Sequence, residues 1–298
     1  MRTFLLILTF KYTYMQIITT KQELTQQMAA CVRQNKTIGF VPTMGALHNG
    51  HASLVKCACA ENDVCVVSVF VNPTQFNNKE DLLKYPRNIN KDADFLADLG
   101  VHFVFAPTPE EMYSPQEMAE EFVFDFNGLD QVMEGKMRPG HFNGVVQVVS
   151  RLFDLVQPTR AYFGEKDFQQ LAIIHHMVER SSLSERYAGL KIVDCPIVRE
   201  ATGLAMSSRN ERLSDEEKQI AVAISKTLFD SLQWAKIASV KEVQQRVIDT
   251  INAVDGLEVE YYEIVDKNTL QPTNCWDNAV GCVTVYCGPV RLIDNIRY

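Results

Sequence analysis

Two histidines split by an Asn-Gly pair are the first residues here whose types and spacing point to chemistry. His48-Asn49-Gly50-His51 lies between an apolar stretch, TIGFVPT at 37–43, and a helical one, ASLVKCACAEN at 52–62. A helix starting there presents unpaired N–H groups and the positive end of its dipole, which suits a phosphate. Imidazoles beside that end can donate to phosphate oxygens as charge builds on them. Gly45 and Gly50 let the backbone come close to a ligand. Two of the chain's six histidines sit around one glycine, which argues against an incidental pair. A metal pair is the weaker reading, because no third ligand of suitable spacing is near.

Two further turns carry polar groups of the same kind. Gly164-Glu165-Lys166-Asp167 offers a lysine that can meet phosphate as a point charge. Asp167 beside it can hold a ribose hydroxyl or orient the lysine. Met206-Ser207-Ser208-Arg209, preceded by Gly203, combines two hydroxyls and a guanidinium in a set suited to a triphosphate. Each of these two, taken alone, reads as an ordinary polar loop.

The elements that must position these turns alternate. Residues 21–34 have helical periodicity through Leu24, Met28 and Cys31, and 37–43 reads as a buried strand. VCVVSVFV at 64–71 is a second apolar strand, stopped by Asn72-Pro73. Continuous apolar strands suit a parallel sheet covered on both faces. A helix at 88–99, a strand at 101–107, a helix at 144–156, a strand at 160–167, a helix at 169–181 and a strand at 190–198 continue the pattern. Residues 108–143 show turn formers and little period. The alternation predicts an α/β fold, a Rossmann-like doubly wound parallel sheet, whose ligands bind beyond the carboxyl ends of the strands. The turns at 42–51, 72–76 and 164–167 should converge there.

After residue 198 the pattern changes. Ser214-Asp-Glu-Glu217 is a capping box opening a helix of about 20 residues. A second helix starts near Val240, and 257–266 and 279–288 read as strands. The expected division is an N-terminal extension at 1–14, a nucleotide- and substrate-binding domain at 15–197, and a smaller α+β lid domain at 198–298.

The bulk numbers bound the function. The chain has 298 residues, 46% hydrophobic and 22% charged, with net charge −8 and pI near 5.3. An acidic balance argues against general nucleic-acid binding, which needs a basic footprint. None of the eight cysteines forms a C-x-x-C pair. Buried free thiols in a reducing, cytoplasmic setting are the expectation, ahead of disulfides or zinc. The apolar run MRTFLLILTFKYTY at 1–14 lacks a small-residue cleavage site and is shorter than the roughly 20 residues of a membrane span. Met15 precedes the strand-like MQIITT, so the functional domain is expected to begin there, with no membrane segment elsewhere.

The order of the three turns matches the nucleotidyltransferase superfamily, and longer blocks narrow it. PTMGALHNGHASLV (42–55), SVFVNPTQF (68–76), YPRN (85–88), RPGHFNGVVQVVSRLFDLVQP (138–158), YFGEKDFQQL (162–171) and GLAMSSRNERL (203–213) together resemble the pantothenate synthetase family, also called pantoate–β-alanine ligases. YYEIVDKNTL (261–270) and VRLIDNI (290–296) fit that family's C-terminal domain. The likeness runs from about residue 15 to the end.

The resemblance implies a ligase of pantothenate biosynthesis with two steps. Pantoate attacks the α-phosphate of Mg-ATP to give pantoyl-adenylate and pyrophosphate. β-Alanine then takes the acyl group, releasing AMP. It implies His48, His51, Lys166 and Arg209 as catalytic residues, with His51 the family's labelled proton donor. No proton has to move in adenylation, so stabilising charge is the fuller account of the pair. ATP would lie along Met44, Gly45, Ala46, Leu47, His48, Asn49, Gly50 and His51. Gly164, Glu165, Lys166 and Asp167 would meet it at the second turn, and Met206, Ser207, Ser208 and Arg209 at the third. Val198 would bond adenine through its backbone. Gln75 and Gln170 would hold pantoate, Asn72 the β-alanine end, and Pro42, Met44 and Phe76 the gem-dimethyl group. Asp92 matches the family's Mg²⁺-linked acidic position, where Lys91 replaces a second acid of some members. His141 would shape the pantoate site. Residues 76–88 would form a lid, and the family implies a cytoplasmic homodimer. His175 and His176 are given no chemistry.

Three other readings are distinguishable. A transferase of AMP to a phosphate substrate needs a second basic pocket, where Gln75 and Gln170 are neutral. A tRNA-synthetase-like fragment needs a basic surface and an anticodon-binding region. A non-catalytic nucleotide binder would show no turnover.

Overall fold

The computed structural model describes residues 15–77, 79–120 and 122–298. The extension expected at 1–14 lies outside the described residues. Six strands form one sheet: β1 (Gln16–Ile18), β2 (Ile38–Thr43), β3 (Val64–Val69), β4 (Phe103–Phe105), β5 (Arg160–Gly164) and β6 (Lys191–Cys195). Their spatial order is β1-β4-β3-β2-β5-β6, and every pairing is parallel. This is the doubly wound sheet that the alternation predicts.

Side-chain alternation along β2 separates two cores. Phe40 points to the helix His141–Val156, where its ring meets Phe153 edge-on at 6.3 Å. Val41 points the other way, to Leu54, Val55 and Ala58 of the helix Asn49–Glu61. Both faces are covered, so β2 and β3 are apolar along almost their whole length. The helix His141–Val156 is the most deeply set, with twelve buried residues. It is therefore apolar around most of its circumference rather than along one stripe.

The chain crosses the sheet in one direction from β2 to β3 and β4, then returns to place β5 and β6 on the other side. The carboxyl ends of β2 and β5 are therefore the switch point, where a crevice is forced open.

A second sheet is antiparallel, in the order β7 (Leu257–Asp266), β8 (Ala279–Cys287), β9 (Val290–Arg297). The helices Asp215–Trp234 and Val240–Asn252, each opened by a serine capping box, cover one face through residues such as Leu228 and Val247. Val265, Val280 and Cys282 turn instead to the larger core. Residues 290–297, given no element in the sequence reading, form β9. Among the described residues of 108–143 there are three helices of four or five residues, Pro109–Met112, Pro115–Ala119 and Met133–Met137. Helices that short cannot display a 3.6-residue period. Among the described residues no helix is long and apolar enough to cross a membrane.

Candidate active site

A cleft of about 220 Å³ opens at the switch point. Its first wall is the turn after β2. Gly45 (φ 84°) and Ala46 (φ 50°) carry the chain through left-handed conformations. A carboxylate holds that bend: Asp92, 3% exposed, accepts from Ala46 N–H (3.1 Å) and Leu47 N–H (2.9 Å). A Cβ on Gly45 would stand 2.8 Å from Asp92 Oδ2, so only glycine fits there. The Asp92 carboxylate stays behind the turn, outside the cleft wall.

The histidines cap the helix Asn49–Glu61 reciprocally. Gly50 N–H donates to His48 Nδ1 (3.1 Å), and His48 N–H donates to His51 Nδ1 (3.3 Å). With both Nδ1 atoms accepting, each neutral ring carries its proton on Nε2, and the rings lie 4.1 Å apart at 40°. Burial and then the Lys166 charge pull His48 down to about 4. Burial, His48 and Lys166 pull His51 down to about 3. Both rings are thus neutral Nε2–H donors at neutral pH.

The turn after β3 supplies the amide side. Gln75 is buried; its Nε2 donates to Met44 Sδ (3.0 Å) and its Oε1 accepts from Asn72 Nδ2 (3.2 Å). Asn72 also donates to Gly144 O (3.0 Å) and accepts from Tyr113 Oη (2.8 Å) and Thr74 Oγ1 (3.2 Å). Its amide is occupied in fixing the turn. His141 Nδ1–H donates to the Gln75 carbonyl (2.7 Å), and Arg138 lies 3.3 Å from His141 Nε2. Burial, reinforced by Arg138, lowers His141 to about 4, consistent with a neutral ring that links the two.

From β5 come Gly164, Lys166 and Asp167, with Lys166 Nζ 3.2 Å from Asp167 Oδ2. Gln170 follows one turn into the helix Phe168–Glu179. From the segment after β6 come Val198, Ser207, Ser208 and Arg209. Met206 N–H donates to Val198 O (3.0 Å), and Ser207 Oγ accepts from Arg209 N–H (3.2 Å) to start a short 3-10 turn. Val145, Val149 and Leu152 of the central helix, with Pro42 and Phe70, form an apolar patch between the amides and the polar turns.

The structure therefore brings together Pro42, Met44, His48, Gly50, His51, Asn72 and Gln75 with the residues of the two later turns. Gly45, Ala46, Leu47 and Asn49 form the supporting bend rather than the wall. Glu165 turns outward to Arg297 (2.7 Å). Met206 packs against Gly50. Phe76 meets Tyr85 edge-on at 5.7 Å instead of entering the wall. Tyr85 itself, present in the YPRN block but given no role there, lines the cleft with its hydroxyl 3.3 Å from Ser208 Oγ. Val145, Val149 and Leu152 of the central helix have no role in the sequence reading either; as apolar positions of one buried helix they carry no signal separating cleft from core. His175 lies between Glu179 and Asp194, and His176 meets the Asp125 carbonyl, both outside this cleft.

A parallel sheet of this order, with a histidine-capped helix and a lysine turn flanking its switch point, defines a nucleotide-binding enzyme of the Rossmann-like class. Comparison with known proteins narrows the class. The family model described as pantoate-beta-alanine ligase matches residues 16–297. Over 287 residues the chain is 58% identical to the pantothenate synthetase of Phocaeicola vulgatus and 56% to that of Bacteroides thetaiotaomicron, spanning 95% of this chain and 99% of each relative. The crystal structure of pantothenate synthetase from Thermus thermophilus superposes with a TM-score of 0.86 at 42% identity, covering 95% and 99% of the two chains. A pantoate-beta-alanine ligase from Francisella tularensis, complexed with Beta-gamma ATP and Beta-alanine, gives 0.77 at 35%, covering 95% and 97%.

The chain belongs to the pantoate–β-alanine ligase family. It is an ATP-dependent ligase that joins pantoate to β-alanine as pantothenate.

Proposed function

We propose that the cleft performs this ligation through a pantoyl-adenylate. The observation that carries the reading is the meeting of three groups from distant parts of the chain: the neutral histidine pair, the Lys166 turn and the Ser207-Ser208-Arg209 turn. A carboxylate is a poor electrophile, and attack on the α-phosphate converts its oxygen into part of a good leaving group. Negative charge grows on the phosphate oxygens as pyrophosphate departs. His48 and His51 donate Nε2–H to those oxygens, and Lys166 and Arg209 supply full charges. Ser207 and Ser208 add hydroxyls along the triphosphate. Val198 holds adenine through its backbone, and Asp167 faces the ribose. Gln75 and Gln170 suit the hydroxyls of pantoate, while Pro42, Met44 and the apolar patch suit its methyl groups. Asn72 fixes Gln75 at the amine end. Residue 78 of the lid expected at 76–88 lies outside the described residues; Tyr85, its hydroxyl 3.3 Å from Ser208 Oγ, helps keep water from the reactive anhydride.

Mg²⁺ enters on this reading as the companion of ATP. Among the described residues no group of three or more His, Cys, Asp or Glu side chains could hold a metal ion. Asp92 commits both oxygens to backbone N–H groups. Phosphate oxygens and water remain as ligands, the usual set for this ion, with Asp167 the carboxylate lining the cleft. Eight unpaired thiols support a reducing, cytoplasmic setting. The family resemblance implies a homodimer, which sedimentation velocity reads directly.

The deciding experiment uses pantoate labelled with ¹⁸O in its carboxylate. Adenylation followed by amine attack leaves one labelled oxygen in AMP. Unlabelled AMP accompanied by pantothenate would overturn the adenylate route. Any turnover yielding ADP in place of AMP would do the same.

A further inference from the structure

Lys166 sits in a turn that the first sheet does not hold by itself. β5 stops at Gly164 and the next helix starts at Phe168. Within the first sheet the turn is tied by Glu165 N–H, which donates to Cys195 O (2.8 Å). Its carbonyls turn to the other sheet. Asn295, on β9 and 4% exposed, donates through Nδ2 to Glu165 O (2.8 Å) and to Lys166 O (3.0 Å). Two carbonyl oxygens require two donors at one point, and only the NH₂ end of this amide supplies them.

Those carbonyls belong to the two peptide planes flanking the Lys166 Cα. Peptide planes are rigid, so pinning both fixes φ and ψ of Lys166 and hence the direction in which its side chain leaves. Asn295 is itself anchored. Its N–H donates to Asp294 Oδ1 (2.8 Å), and the Asp294 carboxylate takes two bonds from Arg199, at 2.6 and 2.9 Å. Arg199 donates further to Gly203 O (3.3 Å), in the hairpin that leads to Met206. Adjacent residues of one β9 segment thus hold both polar turns.

We infer that Asn295 is a positioning residue for adenylation, through which the second sheet sets the aim of the Lys166 ammonium. The inference rests on the phosphate role given to Lys166 above. It extends that role to a side chain of the C-terminal unit that does not line the cleft. A purely structural Asn295 would cost stability and leave the chemistry of the folded enzyme alone. A positioning one must lower kcat while pantoate still binds.

The test is Asn295→Asp, which keeps the size and turns a carboxylate oxygen toward the two carbonyls. AMP release, the pantoate KM and thermal melts are measured together, with assays run well below each melting midpoint. The expected result is a kcat lowered about tenfold to a hundredfold, with pantoate KM near that of the parent. A folded variant with parent-like kcat overturns the inference, as does an equal loss in kcat and pantoate affinity. Should Asn295→Asp fail to fold, Asn295→Ser is read by the same criteria, since its single short donor cannot span both carbonyls. Lys166→Ala runs alongside. Parent-like turnover in it removes the phosphate assignment and this inference with it. Lost turnover in Lys166→Ala beside normal kcat in the Asn295 variant removes this inference alone.

Discussion

Lys166 and the histidine pair show how strongly single groups in this cleft depend on their surroundings. Lys166 Nζ stands 3.2 Å from Asp167 Oδ2 at the cleft, on a side chain only 16% exposed. Lys166→Ala should leave the protein folded and lower the rate of AMP formation by about 10²–10³-fold, the usual effect of losing one charge-stabilising group. Steady-state assays with ATP saturating read this directly. The histidines give a pH signature. Their folded values, about 4 and about 3, lie below the ordinary 6.5. The unfolded chain therefore binds protons that the folded one refuses as pH falls below 6.5. Stability is full above that value and declines as pH drops toward 4 and 3. Thermal melts from neutral to mildly acid pH should show this decline, and His51→Gln should make it shallower. An unchanged slope in the variant would mean that His51 titrates normally in the fold.

At the scale of elements, loops are fixed by residues set behind the cleft wall. Asp92 satisfies two N–H groups in a bend that would otherwise leave them unpaired. Asp92→Ala should cost about 1–3 kcal/mol per N–H left unpaired and loosen the histidine turn. If the carboxylate acts through the loop, added Mg²⁺ does not restore activity. Recovery at high Mg²⁺ would return Asp92 to the metal role that the family resemblance gives it. Gly144 is a second such point. The turn after β3 packs onto the central helix so closely that a Cβ there would stand 2.5 Å from Thr74 O and 2.6 Å from Gln75 N. Gly144→Ala must push that turn away. The expected outcome is a loss of about 1–3 kcal/mol and a raised pantoate KM, measured by urea melts and initial rates.

For the whole molecule the question is how the second sheet is joined to the first layer. Glu134, in the short helix Met133–Met137, docks on all three strands of the second sheet. It accepts from Tyr261 Oη (2.8 Å) on β7, Thr284 Oγ1 (3.0 Å) on β8 and the Arg291 guanidinium (two bonds of 2.7 Å) on β9. Arg291 is shared with Glu260. Burial pushes the Glu134 carboxyl up, but the Arg291 bonds outweigh it and hold the group at about 2. Its contribution is present above the ordinary 4.5 and is lost as pH falls from there toward 2. Glu134→Gln should destabilise the fold by about 3 kcal/mol, because it leaves buried charge on Arg291 less fully paired. Chemical denaturation at neutral pH checks the size. The same measurement near pH 3 should show a smaller difference from the parent.

The sequence by itself determined the parallel sheet, the helix that opens at the histidine pair, and the polar turns that line the cleft. Those features are local: apolar runs with sharp stops, a capping pattern, and turn residues at strand ends, each readable within about ten residues. The same holds for the helix at Asp215, announced by Ser214 and Glu217. Only the tertiary structure decided which neighbours hold those groups. Asp92, matched in the sequence to a Mg²⁺-linked position, takes two backbone donors 45 and 46 residues away. Asn295 has no role within the VRLIDNI block of the sequence, yet it reaches 130 residues back to the Lys166 turn. Val145 and Leu152 belong in the sequence to a helix at 144–156 with no role marked, and the switch point leaves part of that helix facing the cleft. Periodicity and capping report the burial and ends of one element. Contacts between elements depend on the order in which strands enter the sheet, and no local pattern encodes that order.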